Sequence, residues 1–275
     1  MKHEVKMFND EFNVNLTDIP KLKFLDFSEE GVEVKANTKE INGTDGVVMG
    51  PINFGPFDLV LNFSFIGHDI NDYNLMLQKL RRLLFKREAF YIWHSFMPGK
   101  KYAVYCTENA IDYKTPTFGT FSIKFSVIKG YSESLRETDK FSLSSGEWQF
   151  ETGVLSVDDI KYKHNTTGFK IYNGSTDTID PHIRHKFRLL INIDAPKGFT
   201  LANNTTGDVF KYNKAIKKKQ TLILNGVHPT IDNKRVGSNT NWQWITLAPG
   251  FNEIEITGEN ISNPTTQWVF PFIYR

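Results

Sequence analysis

Along much of the chain, apolar and polar residues alternate with a period of two, the spacing that sends every second side chain to one face of a β-strand. Val5-Lys6-Met7-Phe8, Lys21-Leu22-Lys23-Phe24-Leu25, Gly31-Val32-Glu33-Val34-Lys35 and Leu59-Val60-Leu61-Asn62-Phe63-Ser64-Phe65-Ile66 are strand-like pieces. Ala89-Phe90-Tyr91-Ile92-Trp93, Lys101-Tyr102-Ala103-Val104-Tyr105-Cys106 and Gly119-Thr120-Phe121-Ser122-Ile123-Lys124-Phe125-Ser126-Val127 continue the series. Between Lys35 and Leu59 the chain carries Asn42-Gly43 and Asp45-Gly46 in quick succession. Such pairs favour the positive φ angles of tight turns and predict an extended loop or a long hairpin.

One segment changes period. Tyr73, Leu77, Leu80 and Leu84 recur at i, i+4, i+7 and i+11, which places them on one face of a helix. Asp69 supplies an N-cap oxygen and Asp72 a negative charge where the first amides are exposed. Lys79, Arg81, Arg82, Lys86 and Arg87 gather toward the other end, where the helix dipole favours cations. The result is a basic amphipathic helix that covers one face of a sheet and turns its charged side to solvent or to a neighbouring subunit.

From Ser132 to Gly146 the sequence turns polar, the composition expected of a linker. Beyond it come short strands at Phe169–Tyr172, His185–Ile191, Thr221–Leu224 and Asn252–Ile256, separated by turns at Asn173-Gly174, Ala195–Gly198, Asn225-Gly226 and Pro249-Gly250. The reading is an α+β domain over residues 1–145, a β-sandwich with one main helix and an extended loop. An all-β sandwich or jelly roll follows over residues 146–275.

Composition narrows the function. Lys and Arg number 33 against 31 Asp and Glu, a net charge of +2, which excludes a dedicated electrostatic binder of nucleic acid. With Cys106 as the single cysteine there is no intrachain disulfide and no thiolate set for zinc; within its apolar strand it is expected to be a small core residue. No apolar run approaches the roughly 20 residues of a membrane-spanning helix, and no apolar core of a signal peptide follows Met1, so synthesis in the cytoplasm is expected.

Catalytic constellations are not expected either. His182-x-x-His185 sits beside a predicted strand, where i and i+3 face opposite ways, and carries no metal. His94, His164 and His228 lie near predicted turns and read as surface residues. The acid pairs Asp158-Asp159, Glu133 with Glu137 and Glu253 with Glu255 read as solvated charge and not as glycosidase pairs. Neither a nucleophile elbow nor a phosphate-binding loop is found, so no cofactor is expected. Lys217-Lys218-Lys219 reads as a soluble loop. Trp242 and Trp244, with Trp268 downstream, are the candidate saccharide platform, because indole faces stack on the apolar faces of pyranose rings. As alternate residues of one strand they would be core on an inner face and a sugar platform on an outer one.

The order of these features resembles the siphophage distal tail family. Where the family carries Leu-Pro-Gly-Arg-Asp-Gly, this chain has Ile41-Asn42-Gly43-Thr44-Asp45-Gly46, keeping both glycines and the Asp. Phe63-Ser64-Phe65-Ile66-Gly67 before the helix and Trp93 to Tyr105 after it, with the turn Met97-Pro98-Gly99-Lys100, continue the likeness. Further along, Asp180-Pro181-His182-Ile183, Leu247 to Ile256 and Pro271-Phe272-Ile273-Tyr274-Arg275 are similar to the family's accessory sandwich, a galectin-like or carbohydrate-binding-module-like domain. The resemblance implies a homo-hexameric ring of the N-terminal domains, with Asn42, Gly43, Asp45 and Gly46 at the tip of a belt that grips the next subunit. It implies a structural place in the virion, at the tail tip, after assembly in the host cytoplasm. The partners it implies are the tail tube protein, the tail-tip lysin or spike, receptor-binding or upper baseplate proteins and the tape measure protein. The alternative reading is a module for cell-wall carbohydrate carried on the tail.

Overall fold

In the computed structural model, residues 3–113, 118–142, 145–148 and 160–275 are described. The chain divides into one unit of Met1–Glu133 with Arg275, and a second of Ser134–Tyr274. In chain order the first part holds β1 (Val5–Phe8), β2 (Asn13–Asn15), β3 (Leu22–Glu29), β4 (Val34–Glu40), β5 (Val47–Phe54), β6 (Phe57–Ile66), α1 (Ile70–Leu84), β7 (Phe90–His94), β8 (Lys100–Tyr113), β9 (Phe118–Val127) and β10 (Ser132–Ser134). The remainder holds β11 (Lys163–His164), β12 (Gly168–Asn173), β13 (Arg188–Asp194), β14 (Phe199–Asn203), β15 (Asp208–Tyr212), β16 (Leu222–Asn225), β17 (His228–Ile231), β18 (Lys234–Arg235), β19 (Gly250–Thr257), β20 (Ser262–Val269) and β21 (Ile273–Tyr274). The protein is mostly β-sheet, with α1 as the α-helix among the described residues.

In the first unit the strands run in the order β2-β1-β7-β8-β9-β6-β3. β6 pairs antiparallel with β9 from Phe57↔Val127 to Ile66↔Phe118. The alternation predicted from the sequence puts Leu59, Leu61, Phe63, Phe121, Ile123 and Phe125 on the buried face. Onto this core α1 lays Tyr73, Met76, Leu77, Leu80 and Leu84. Fully burying one of these leucines stabilises the fold by about 2 kcal/mol. Asp69 caps the helix, its Oδ1 accepting from the Asp72 amide at 2.8 Å, and Asp72 Oδ2 accepts from the His68 amide at 3.2 Å. The helix ends at Phe85, whose backbone (φ −86°, ψ 81°) leaves the helical region.

The second unit has two antiparallel sheets, ordered β11-β20-β13-β16-β17-β18 and β12-β19-β14-β15. Leu189, Ile191, Leu222, Leu224 and Trp268 of the first sheet are buried, as are Ile171, Leu201, Phe210, Ile254 and Ile256 of the second. Ser134 and Thr138 belong to this core rather than to an exposed linker. The Ser134 amide donates to Phe272 O at 2.8 Å and the Thr138 hydroxyl to Trp268 O at 2.8 Å. The polar composition of this stretch thus serves buried hydrogen bonds as well as solvent.

Candidate functional site

The long hairpin predicted between Lys35 and Leu59 is formed by β4 and β5, paired from Val34↔Phe54 to Glu40↔Val47 with a bulge between Ala36 and Thr38. All of its strand residues are exposed. Neither strand pairs with any other among the described residues. At the tip, Asn42, Gly43, Asp45 and Gly46 are exposed, and the two glycines take φ +85° and +81°. A side chain at either position would find open space but a strained backbone. The turn is closed by the Thr44 amide and hydroxyl, which both donate to Ile41 O. At the other end, Gly55 N–H donates to Glu33 O at 2.7 Å, and the Arg275 guanidinium lies 4.0 Å from the Phe54 ring centroid.

Sequence alone did not single out the apolar surface of this hairpin. Val34, Ile41, Val47, Val48, Met49, Ile52 and Phe54 are exposed, Met49 by 63%. A two-stranded hairpin is marginal in water without a packed face, and free edges with apolar side chains are ready to pair. The signal available was Val47-Val48-Met49, three successive apolar residues directly after a glycine turn.

The three candidate tryptophans do not come together as one platform. Residues 242–244 form no strand; Trp242 is 60% exposed at φ +56°, with its ring over Gly237. Trp244 is half-buried and edge-on to His182 at 4.5 Å. Trp268 is fully buried on β20, its Nε1 donating to the Thr266 hydroxyl at 3.1 Å, so it is core and offers no face to a sugar.

His182 lies within a 3-10 turn at Pro181–Ile183 and His185 just beyond it, and the two engage different atoms of Asp180. His182 Nδ1 lies 2.8 Å from Asp180 Oδ1, whereas buried His185 accepts the Asp180 amide at 3.1 Å. Among the described residues no group of three His, Cys, Asp or Glu converges as a metal site. Glu133 is buried against Lys129 at 2.7 Å, Glu137 pairs with Lys186, and Glu253 pairs with Lys170 at 3.3 Å. Asp158-Asp159 lies outside the described residues. Lys217, Lys218 and Lys219 are exposed, as expected of a soluble loop.

Two further expectations are corrected. His94 is not on the surface: as the third inward residue of β7 after Phe90 and Ile92, it is fully buried. Its ring stacks on Tyr102 with centroids 5.7 Å apart and lies 4.3 Å from Phe27. Burial pulls its pKa down to about 4. Cys106 is only half-buried at the edge of the core, and burial pushes its thiol up to about 11, well away from a reactive thiolate.

Residues 8–127, from β1 to the end of β9, match the family described as the phage tail protein RIFT-related domain. That match takes in the hairpin and the helix, so this stretch is similar to that family's domain, and the likeness to phage tail proteins read from the sequence is borne out. Among solved structures it is similar in fold to the Dit protein of phage SPP1, described as a paradigm of the hub adsorption apparatus in phages infecting Gram-positive bacteria. The TM-score is 0.69 at 12% identity, over 98% of this chain and 99% of that one. A chain of the phage P2 baseplate in its activated conformation with Ca also aligns, at 12% identity over 98% of each chain, but with a TM-score of 0.40. The fold likeness is therefore to the SPP1 chain. None of the curated proteins matches.

Proposed function

We propose that this chain is a structural hub of the virion, a homo-hexameric ring at the distal end of a long non-contractile tail. The ring joins the tail tube to the tail-tip lysin or spike, with the tape measure protein ending against it and receptor-binding or upper baseplate proteins attached outside. In this reading the α+β unit builds the ring, and the all-β unit is a galectin-like or carbohydrate-binding-module-like sandwich turned toward other baseplate components. The work is structural and no enzymatic step belongs to it.

The observation that carries the proposal is the β4–β5 hairpin, a two-stranded arm with both edges unpaired among the described residues and seven large apolar side chains exposed. Such an arm is stable when it lies on another surface, and a head-to-tail contact repeated around a closing rotation satisfies every copy. Asn42, Gly43, Asp45 and Gly46 form its reversing tip, the part that reaches farthest onto the next subunit. Light scattering on the purified chain checks this: a ring of six 31.7 kDa copies has a mass of about 190 kDa. A chain that remains monomeric both alone and with its tail tube partner would sink the hexamer.

The exposure of Trp242 keeps a second reading open, a carbohydrate contact on the second unit that uses this one indole. Glycan binding by the isolated chain that disappears in Trp242→Ala supports it, and binding unaffected by the change excludes it.

A further inference from the structure

The chain contains three Asn-Gly pairs, at Asn42-Gly43, Asn173-Gly174 and Asn225-Gly226, and the structure treats them differently. Asn173 is buried; its Oδ1 accepts the Ser175 amide at 3.0 Å, and its Nδ2 donates to Leu247 O at 2.8 Å and Asp177 O at 3.2 Å. Asn225 is exposed, but the following amide is engaged, Gly226 N–H donating to Phe187 O at 2.8 Å. At the hairpin tip neither restraint exists. Asn42 is exposed, its side chain and the Gly43 amide have no hydrogen-bond partner among the described residues, and nothing lies within 4 Å of the space beside Gly43.

We propose that Asn42 is a site of spontaneous modification, converting to aspartate and isoaspartate through a cyclic imide formed with Gly43. Solvent base takes the Gly43 amide proton and the nitrogen attacks Asn42 Cγ. The new N–Cγ bond forms as the Cγ–Nδ2 bond breaks, and Nδ2 leaves as ammonia with a proton from water. One water then adds to the five-membered ring. Opening at one carbonyl gives aspartate; opening at the other gives isoaspartate, with one extra methylene in the main chain. No electrons are transferred and water is the only co-reactant.

A residue without a Cβ on the attacking side and an attacking amide held by no hydrogen bond are what the ring closure requires. Gly43 supplies both. The consequence falls on the tip of the arm, which gains a negative charge and, in the isoaspartate product, a longer main chain at the reversal. This chemistry is a property of the free chain and stands whether or not the hairpin is a belt.

The test is incubation of the full-length folded chain at mildly alkaline pH, followed by proteolysis and mass spectrometry of the three Asn-Gly peptides. Asn42 is expected to lose its amide about ten-fold faster than Asn225, where one hydrogen bond must open first, and faster still than Asn173. In concentrated urea, where the three share the same glycine neighbour and no structure, the rates are expected to converge. Loss at Asn225 or Asn173 that equals or exceeds loss at Asn42 in the folded chain would overturn the proposal. So would a difference between the sites that persists undiminished in urea.

Discussion

Asn203 and Asn252 are both fully buried, and the Nδ2 of the first donates to the Oδ1 of the second at 3.0 Å. The same Oδ1 accepts the Ala248 amide at 2.9 Å, while Asn252 Nδ2 donates back to Ala248 O at 2.8 Å and Asn203 Nδ2 to Thr246 O at 2.8 Å. Two side chains on neighbouring strands, β14 and β19, thus satisfy the main chain of the segment that follows Trp244. A buried polar group costs little when fully paired and much when orphaned.

Asn252→Leu should therefore destabilise the second unit by about 2–4 kcal/mol, since it strands the Ala248 amide and carbonyl and one Asn203 hydrogen. Urea unfolding followed by tryptophan fluorescence measures it. A loss under about 0.5 kcal/mol, the size of an ordinary surface change, would mean that water replaces these bonds and the network is not structural.

His94 makes the first unit sensitive to acid. Its pKa in the fold is about 4 against 6.5 in the unfolded chain, so below 6.5 the unfolded state binds a proton that the folded state resists. Its neutral form contributes stability that is fully present above pH 6.5 and is lost as pH falls toward 4, in total about 3 kcal/mol. His94→Leu removes the proton site, and its unfolding free energy should fall less steeply than the wild type's over that window. Parallel curves for the two proteins would show that His94 does not titrate on unfolding.

Gly119 of β9 faces the ring of Tyr73 of α1. A Cβ added there would stand 2.5 Å from Tyr73 Cε2 and 2.7 Å from its hydroxyl. Gly119→Ala should push the first turns of the helix off the sheet and cost about 1–3 kcal/mol, the range for overpacked cores. The companion Gly119→Ala/Tyr73→Leu protein should recover part of that loss, because the ring that the methyl meets is gone. Thermal unfolding of both proteins checks the pair, and equal melting temperatures for Gly119→Ala and wild type would refute the contact.

Gly43→Val with Gly46→Val forces a β-branched residue into positive φ twice, at about 1–2 kcal/mol each. Because the tip touches no core, circular dichroism and the melting of both units should stay unchanged while ring assembly falls. Met49→Asp, which places a charge on the most exposed apolar residue of the arm, should weaken assembly without any backbone strain. Normal assembly of both variants would remove the arm from the subunit interface.

Much of the first unit is legible in the sequence. Tyr73, Leu77, Leu80 and Leu84 are spaced as a helix and cannot be buried together in any other element, and the long alternations of β6 and β9 predict the sheet below them. The hairpin was legible as well, because Asn-Gly and Asp-Gly carry their turn preference locally. What could not be read was which side of an alternation faces inward when the strand is short and mixed. Phe90-Tyr91-Ile92-Trp93-His94 has large side chains on both faces, and burial of the Phe90, Ile92 and His94 face is decided by the strands and rings packed against it.

The tryptophans mark the same limit. The spacing of Trp242 and Trp244 predicts alternation on a strand, yet a left-handed Trp242 breaks the segment into a loop, and Trp268 enters the core because its strand pairs with β13. Local preferences along the sequence thus determined the kinds of element, the position of the helix, the reversal at Asn42–Gly46 and the likeness to phage tail proteins. Only the tertiary structure decided that β4 and β5 find no third strand among the described residues, that one indole is exposed while another is core, and that a histidine lies in an aromatic interior. Those outcomes depend on which distant surfaces cover a residue, and spacing along the chain carries no record of that.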